Sequence, residues 1–258
     1  MNSLYKILSR RSSALLTLLL ATTLYGTATN AEQENALTKP TNVLGEAFRQ
    51  GSDQLLYREL HEYAIDSNGE LEHQVTYTQP DGSAWAEKQI RYHDRATAPD
   101  FELTDSLNRE SLKVTVTESM IKVAHTQTDK TQEHQLDSKS PLVVDAGFDP
   151  FVRQHWQSLS HGNSETFFFL LPRREKLVEL RLTPQSCSDF EPDHYLCLAL
   201  EINNWLLRML VDPIELTYQR DERRLIRYLG VSNLSFPGEE DSPQVDIRYR
   251  PVTDTATH

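Results

Sequence analysis

Glycine is scarce in this chain, with 9 in 258 residues, and there are only 2 cysteines. So few glycines leave little material for the loops that cradle the phosphates of nucleotide cofactors. No G-x-S-x-G, H-E-x-x-H or C-x-x-C pattern occurs, and no EF-hand loop. The short signatures that usually announce a hydrolase, a zinc peptidase, a dithiol centre or a calcium site are therefore missing, and no cofactor is expected. Basic residues are also few, 26 Lys and Arg against 38 Asp and Glu, for a formal net charge of −12. Such a chain repels phosphate backbones and anionic headgroups, which argues against nucleic-acid binding and for solubility. Beyond the start of the chain no apolar run is long enough to cross a bilayer.

The start itself reads as an address. Lys6, Arg10 and Arg11 precede Ala14–Leu24, an uncharged and mainly apolar stretch of eleven residues, and small residues from Gly26 to Ala31 follow. That order is a secretory signal peptide over residues 1–31, with cleavage near Ala28 or Ala31. Eleven residues fall short of the roughly 20 a spanning helix needs, so the alternative of an uncleaved anchor is the weaker one and no membrane span is expected after cleavage. No cysteine follows the apolar run, which excludes a lipoprotein anchor. Loss of three basic and no acidic residues would take the charge from −12 to −15. The remaining 32–258 suits a single β-rich domain with loose polar ends.

In an exported chain Cys187 and Cys197 are expected to form a disulfide around Ser188–Leu196, the alternative being two free thiols. Alternation supplies the rest of the architecture. Leu55–Ile65, Leu71–Thr78 and Ala84–His93 are separated by Asp66-Ser67-Asn68-Gly69 and Pro80-Asp81-Gly82-Ser83, two reversals built from turn-forming residues. Leu71, His73, Val75 and Tyr77 share one face; Ala84, Ala86, Lys88, Ile90 and Tyr92 oppose Trp85, Glu87, Gln89 and Arg91. Further strands are predicted over Ser111–Val123, Phe167–Leu171 (apolar throughout, hence covered on both sides), Leu177–Leu182, Leu196–Ile202, Ile214–Tyr218, Leu225–Leu229 and Val245–Tyr249. The fold class is mainly β (α+β), about ten strands.

One strong helix interrupts them. Asp149 reads as a cap, Pro150 as the first helical residue and Gly162 as the stop, so Pro150–His161 is predicted to be helical with Val152, Trp156 and Leu159 in one stripe. Asp149 and Arg153, four apart, should pair on its surface. His155 and His161 are six apart and cannot ligate one ion from the same helix. A shorter helix is predicted at Val43–Gln50, with Val43, Ala47 and Phe48 inward. Glu59, His61, Glu62 and His73 lie within reach of a metal in principle, but mixed His/Glu positions are ordinary on solvated sheets, and no metal or catalytic residue is assigned. Asp145, Asp149, His155 and His194 would point to an enzyme if they met in one cleft. Trp205–Val211 is an apolar segment, helix or strand. Phe151, Trp156, Phe167, Phe169, Trp205 and Met209 are candidates for an apolar pocket, the alternative being that they form core.

The run "DAGFDPFVRQHW", the apolar strand after it and the late hairpin "DPIELTYQRDERRLIRYLG" resemble the uncharacterised β-rich periplasmic proteins of Gram-negative bacteria. Their layout is similar to the lipoprotein-carrier (Lol-type) superfamily. The resemblance implies a curved antiparallel meander or half-barrel with the main helix packed on its concave face. It also implies a periplasmic, non-enzymatic protein binding a hydrophobic ligand or an envelope protein partner. The alternatives are an envelope hydrolase working through Asp and His side chains, and a structural or assembly factor that binds through a sheet edge.

Overall fold

In the computed structural model, residues 40–204, 212–232, 234, 236 and 242–252 are described. The predicted signal peptide, Trp205 and Met209 lie outside them. After β1 (Val43–Arg49), β2 (Leu55–Ile65) and β3 (Leu71–Thr78) keep their predicted bounds to the residue, and β4 (Ala84–Arg91) starts as predicted but ends two residues before His93. The turns between them are as expected, with Gly69 at φ 83° and Gly82 at φ 90°. The Asp66 carboxylate accepts the backbone N–H groups of Asn68 and Glu70, each at 2.8 Å. One side chain departs from the reading. Trp85, assigned to the face opposite Ala86, is only 4% exposed. The β3–β4 register slips between Tyr77 and Thr78, and such a bulge lets two consecutive residues of one strand turn to the same side.

The meander continues through β5 (Asp100–Asp105), β6 (Glu110–Val116), β7 (Met120–Gln127) and β8 (Lys130–Asp137). After the two-residue β9 (Leu142–Val143) and the helical segment, β10 (Glu165–Leu171), β11 (Lys176–Gln185), β12 (Tyr195–Ile202), β13 (Ile214–Gln219), β14 (Arg224–Val231) and β15 (Gln244–Pro251) complete the sheet. The described residues thus form 15 strands, not ten, in the order β8-β7-β6-β5-β4-β3-β2-β1-β15-β14-β13-β12-β11-β10-β9. Every pairing is antiparallel except the short β9–β10 contact. The single run predicted over Ser111–Val123 is two strands with a turn at Thr117–Ser119, because Thr and Ser there satisfy a reversal as readily as a strand. β5 and β8 were not predicted: β5 alternates, with Phe101 and Leu103 buried, but over only six residues, and β8 has a single apolar residue, Leu136. β8 is an edge strand exposed over most of its length.

β1 replaces the helix predicted at Val43–Gln50. This segment pairs with β2 on one side and β15 on the other, joining the two halves of the sheet. Its apolar residues fit either element: Ala47 is fully buried on the inner face, and Phe48 on the outer face lies under the Arg248 guanidinium, 4.7 Å from the ring centre. Two partner strands decided the outcome.

The sheet is curved and open in its order, yet its ends meet. Leu142, Val144 and Leu170 join the core built by β1–β7 and β15. Their neighbours Val143 and Phe167 turn the other way, into a second core with Phe151, Val152, Trp156, Leu159, Leu182, Leu196, Leu198, Leu216 and Tyr218. Strand β10 and its partner therefore separate two apolar layers, which is why Phe167–Leu171 is apolar throughout. A 3-10 turn, Pro172–Arg174, then reaches β6 and β7. There Arg173 donates to both oxygens of buried Glu110, at 2.7 and 2.9 Å, and His125 approaches the same carboxylate at 2.7 Å.

The helical segment starts earlier than predicted and is broken. A 3-10 turn, Asp145–Gly147, runs into α1 (Phe148–Gln154), and α2 (Trp156–Ser160) follows after His155. The cap is Gly147 rather than Asp149, and no side chain caps the helix. The preceding turn supplies carbonyl acceptors instead, Val144 O for Gly147 N–H at 2.8 Å and Asp145 O for Phe148 N–H. Asp149 sits within the first turn, where a carboxylate favours the helix dipole, and pairs with Arg153 at 2.6 Å as expected. The stop is where the sequence put it. Gly162 has φ 88°, its N–H donates to Leu159 O and that of Asn163 to Ser158 O, the two bonds of a Schellman end.

Candidate functional site

Two polar regions stand out against these cores. The first is a seam on the inner face where β2, β3, β4 and β15 pass the start of α1. Glu59, His61 and Tyr63 alternate along β2; His73 on β3, Lys88 on β4 and Tyr249 on β15 face them. Gly45 makes the approach possible, since a Cβ there would lie 2.8 Å from both Glu59 and the Tyr249 ring. The Tyr249 hydroxyl donates to Glu59 at 2.6 Å. His61 Nε2 lies 3.3 Å from the same carboxylate, an ion-pair distance without hydrogen-bond geometry. His61 Nδ1 is 3.0 Å from His73 Nε2, and His73 Nδ1 is 3.3 Å from the Tyr92 hydroxyl. Tyr63 stacks on His73 with ring centres 4.2 Å apart.

Burial sets the charges along this string. It is the main reason, with the neighbouring His61 and Lys88, that the His73 imidazole is pushed down to about 2, so His73 is neutral at ordinary pH. Burial acts on Glu59 in the opposite sense, but His61, the Tyr249 hydroxyl and Lys88 outweigh it and hold the carboxyl below its usual range. Burial also raises the phenols of Tyr63 and Tyr92 well beyond their ordinary value, helped by the Asp149 carboxylate. Lys88, 4% exposed, donates to both oxygens of Asp145 at 2.9 and 2.7 Å and so ties the sheet to the turn that begins α1.

The sequence placed Glu59, His61 and His73 near one another, and the structure brings them together. Their nitrogens and oxygens are occupied chiefly by one another and by tyrosines. Glu62 is on the opposite, exposed face. Among the described residues no group of three or more His, Cys, Asp or Glu side chains is arranged to hold a metal ion. The other cluster does not assemble. Asp145 belongs to Lys88, Asp149 to Arg153, His155 lies 3.3 Å from Glu165, and His194 is an exposed loop residue near Glu191. His161 Nδ1 donates to the Gln157 carbonyl at 2.6 Å, a helix-end role. Of the apolar pocket candidates, Phe151, Trp156 and Phe167 are buried in the second core and Phe169 packs against it; the rings of Phe151 and Phe167 are 4.5 Å apart.

The second region is on the outer face of β14 and β15 and was not foreseen. An open cleft of about 550 Å³ is lined by Phe190, Arg224, Ile226, Arg227, Arg248, Tyr249, Arg250 and Pro251. Arg227 and Arg248 are direct cross-strand partners, a repulsive placement relieved by Asp246. This carboxylate, on a residue only 5% exposed, accepts from Arg227 at 2.8 and 3.2 Å and from Arg248 at 3.1 and 3.2 Å. The wall opposite is the segment closed by the Cys187–Cys197 disulfide, whose S–S bond is 2.04 Å. From it Asp189 reaches Arg227 Nη1 at 3.1 Å. The signal for this site was in the sequence as Arg248 and Arg250, alternate residues of one strand. It was masked because the whole chain is acidic.

No protein-family model and no curated protein matches the chain. Among solved structures, the crystal structure of a β-barrel-like protein of domain of unknown function DUF1849 from Brucella abortus matches at a TM-score of 0.49 and 9% identity, over 83% of this chain and 96% of that one.

Proposed function

We propose that this is a non-catalytic binding protein of the bacterial cell envelope, exported to the periplasm, and that its ligand is a segment of another envelope protein. The observation that carries the reading is the outer cleft. It combines an aromatic wall, Phe190, with guanidinium groups held in fixed positions by a buried carboxylate, the residue types that anchor protein interfaces. The disulfide supports an oxidising compartment, and the leader-like residues 1–31 support export. Of the two occupants suggested by the sequence, the protein segment fits better than an apolar small molecule, because Phe151, Trp156 and Phe167 are occupied in packing the core. The half-barrel comparison to the lipoprotein carriers belongs to the same proposal at the level of layout only.

The test is site-specific photo-crosslinking in the producing cell. A benzoylphenylalanine at position 190 is expected to give a discrete adduct that Arg227→Gln abolishes, whereas the same probe at Gln132 on exposed β8 gives none. Equal adducts at both positions, or none at 190, would overturn the reading.

A further inference from the structure

The proposed protein-binding cleft carries a carboxylate of its own, and that carboxylate indicates what the cleft recognises. Arg227 uses Nε and Nη2 on Asp246 and is left with Nη1, on which Asp189 is placed. The two acidic partners differ sharply. Asp246 is a buried strut with its side chain 8% exposed, but the Asp189 side chain is 65% exposed, so its contact is of the kind that contributes little net stability and exchanges easily. Arg248 likewise spends Nε and Nη2 on Asp246. Arg250, two residues on and exposed, has no ion-pair partner among the described residues. Arg224 is balanced separately by Glu222 at 2.8 Å. Three guanidiniums against one buried carboxylate leave the strand face net positive once Asp189 moves away, in a chain whose formal charge is −12.

We infer that the cleft takes an acidic, extended protein segment whose carboxylates replace Asp189 on Arg227 and engage Arg248 and Arg250, with Phe190 packing on the segment beside them. Asp189 is then a built-in competitor, held over the cleft by the loop that Cys187 and Cys197 close. A guanidinium already fixed by a buried acid loses less freedom when it binds a second carboxylate, so two such groups on adjacent strands form a preorganised acceptor. Peptide carboxylates are favoured over an anionic membrane because the charge reversal is confined to a cleft about 550 Å³ in volume, and the acidity of the remaining chain opposes approach to an extended anionic surface.

This inference rests on the protein-binding reading of the same cleft, and two measurements separate them. The probe is fluorescein-labelled hexaglutamate followed by anisotropy against the full chain with its disulfide intact, with labelled hexaglutamine as control. Hexaglutamate is expected to bind and hexaglutamine not, with affinity falling as salt rises. Asp189→Asn is expected to tighten binding about threefold or more, and Arg250→Gln with Arg227→Gln to weaken it about tenfold or more. Arg250→Gln alone changes an exposed side chain and tests the idea even if the double variant folds poorly; it should weaken binding severalfold. Unchanged or weaker binding by Asp189→Asn, Arg250→Gln indistinguishable from the parent, or binding to phosphatidylglycerol vesicles with none to hexaglutamate would each overturn the inference. A Phe190 crosslink that survives excess hexaglutamate would refute the acidic ligand while leaving the protein-binding site standing.

Discussion

His73 and Glu59 lie on either side of His61 in one polar seam but respond to acid in different pH windows. An unfolded histidine takes up a proton near pH 6.5, whereas folded His73 is held near 2. Between these values the unfolded chain binds more protons, so stability falls as pH falls below about 6.5 and is intact above it. A group fully suppressed in this way costs about 2 kcal/mol by pH 5. Replacing His73 with Gln is expected to shrink the stability difference between pH 7.5 and pH 5 by that amount, measured by urea unfolding at each pH. Glu59 is held low, so its contribution is present above the ordinary carboxyl range and is lost as pH drops through the folded value. For Glu59→Gln the expected signature is a shallower loss below about pH 4.5, with a lower plateau at neutrality because the Tyr249 hydroxyl and His61 lose an ionic partner. A variant curve parallel to the parent in either window would contradict the assignment. His61 and His73 were legible as neighbours from alternation alone. That one of them is kept neutral was not, because its burial depends on how the Tyr63 and Tyr92 rings close over it once the strands pair.

At the level of elements, the clasp between the Pro172–Arg174 turn and β6–β7 joins regions the sheet order places far apart. Glu110 is 6% exposed and shared by Arg173 and His125. Removing one partner of a buried charge costs several kcal/mol when nothing else compensates; with His125 still present, Arg173→Ala is expected to cost about 2 kcal/mol in urea unfolding. Adding Glu110→Gln should restore part of that, because the stranded charge is gone. Additive losses in the double variant would show that the pair is not coupled. The helix stop was readable because Gly162 is a local requirement: a non-glycine residue at φ 88° costs about 1 kcal/mol. Helix start and interior were less readable. The 3-10 turn that caps α1 depends on Lys88 holding Asp145, and β1 looked helical because a stripe of Val43, Ala47 and Phe48 is compatible with two periods.

For the whole molecule, the constraints are the two sheet edges and the disulfide. β9 is two residues long, and β8 carries Lys130, Glu133 and Asp137 on an exposed strand, both standard protections against edge-to-edge association. Glu133→Val with Gln135→Val is expected to produce concentration-dependent oligomers in light scattering, and a strictly monodisperse variant would argue that β8 is shielded in some other way. Replacing both Cys187 and Cys197 with Ser should cost about 2–3 kcal/mol by the loop-entropy argument for so short a ring, read as a lower urea midpoint than the oxidised parent.

Residue pattern alone specified the β class, the β2–β3 hairpin to the residue, the end of the helix and the pairing of Cys187 with Cys197, because each rests on alternation, turn chemistry or close spacing. Tertiary structure decided that β1 is a strand, that β10 divides two cores, that His73 is neutral and that Arg227 meets Arg248 over Asp246. Those outcomes depend on which distant segments become neighbours when the sheet curves until its ends touch, a choice made by total burial over the whole chain and written in no single stretch of it.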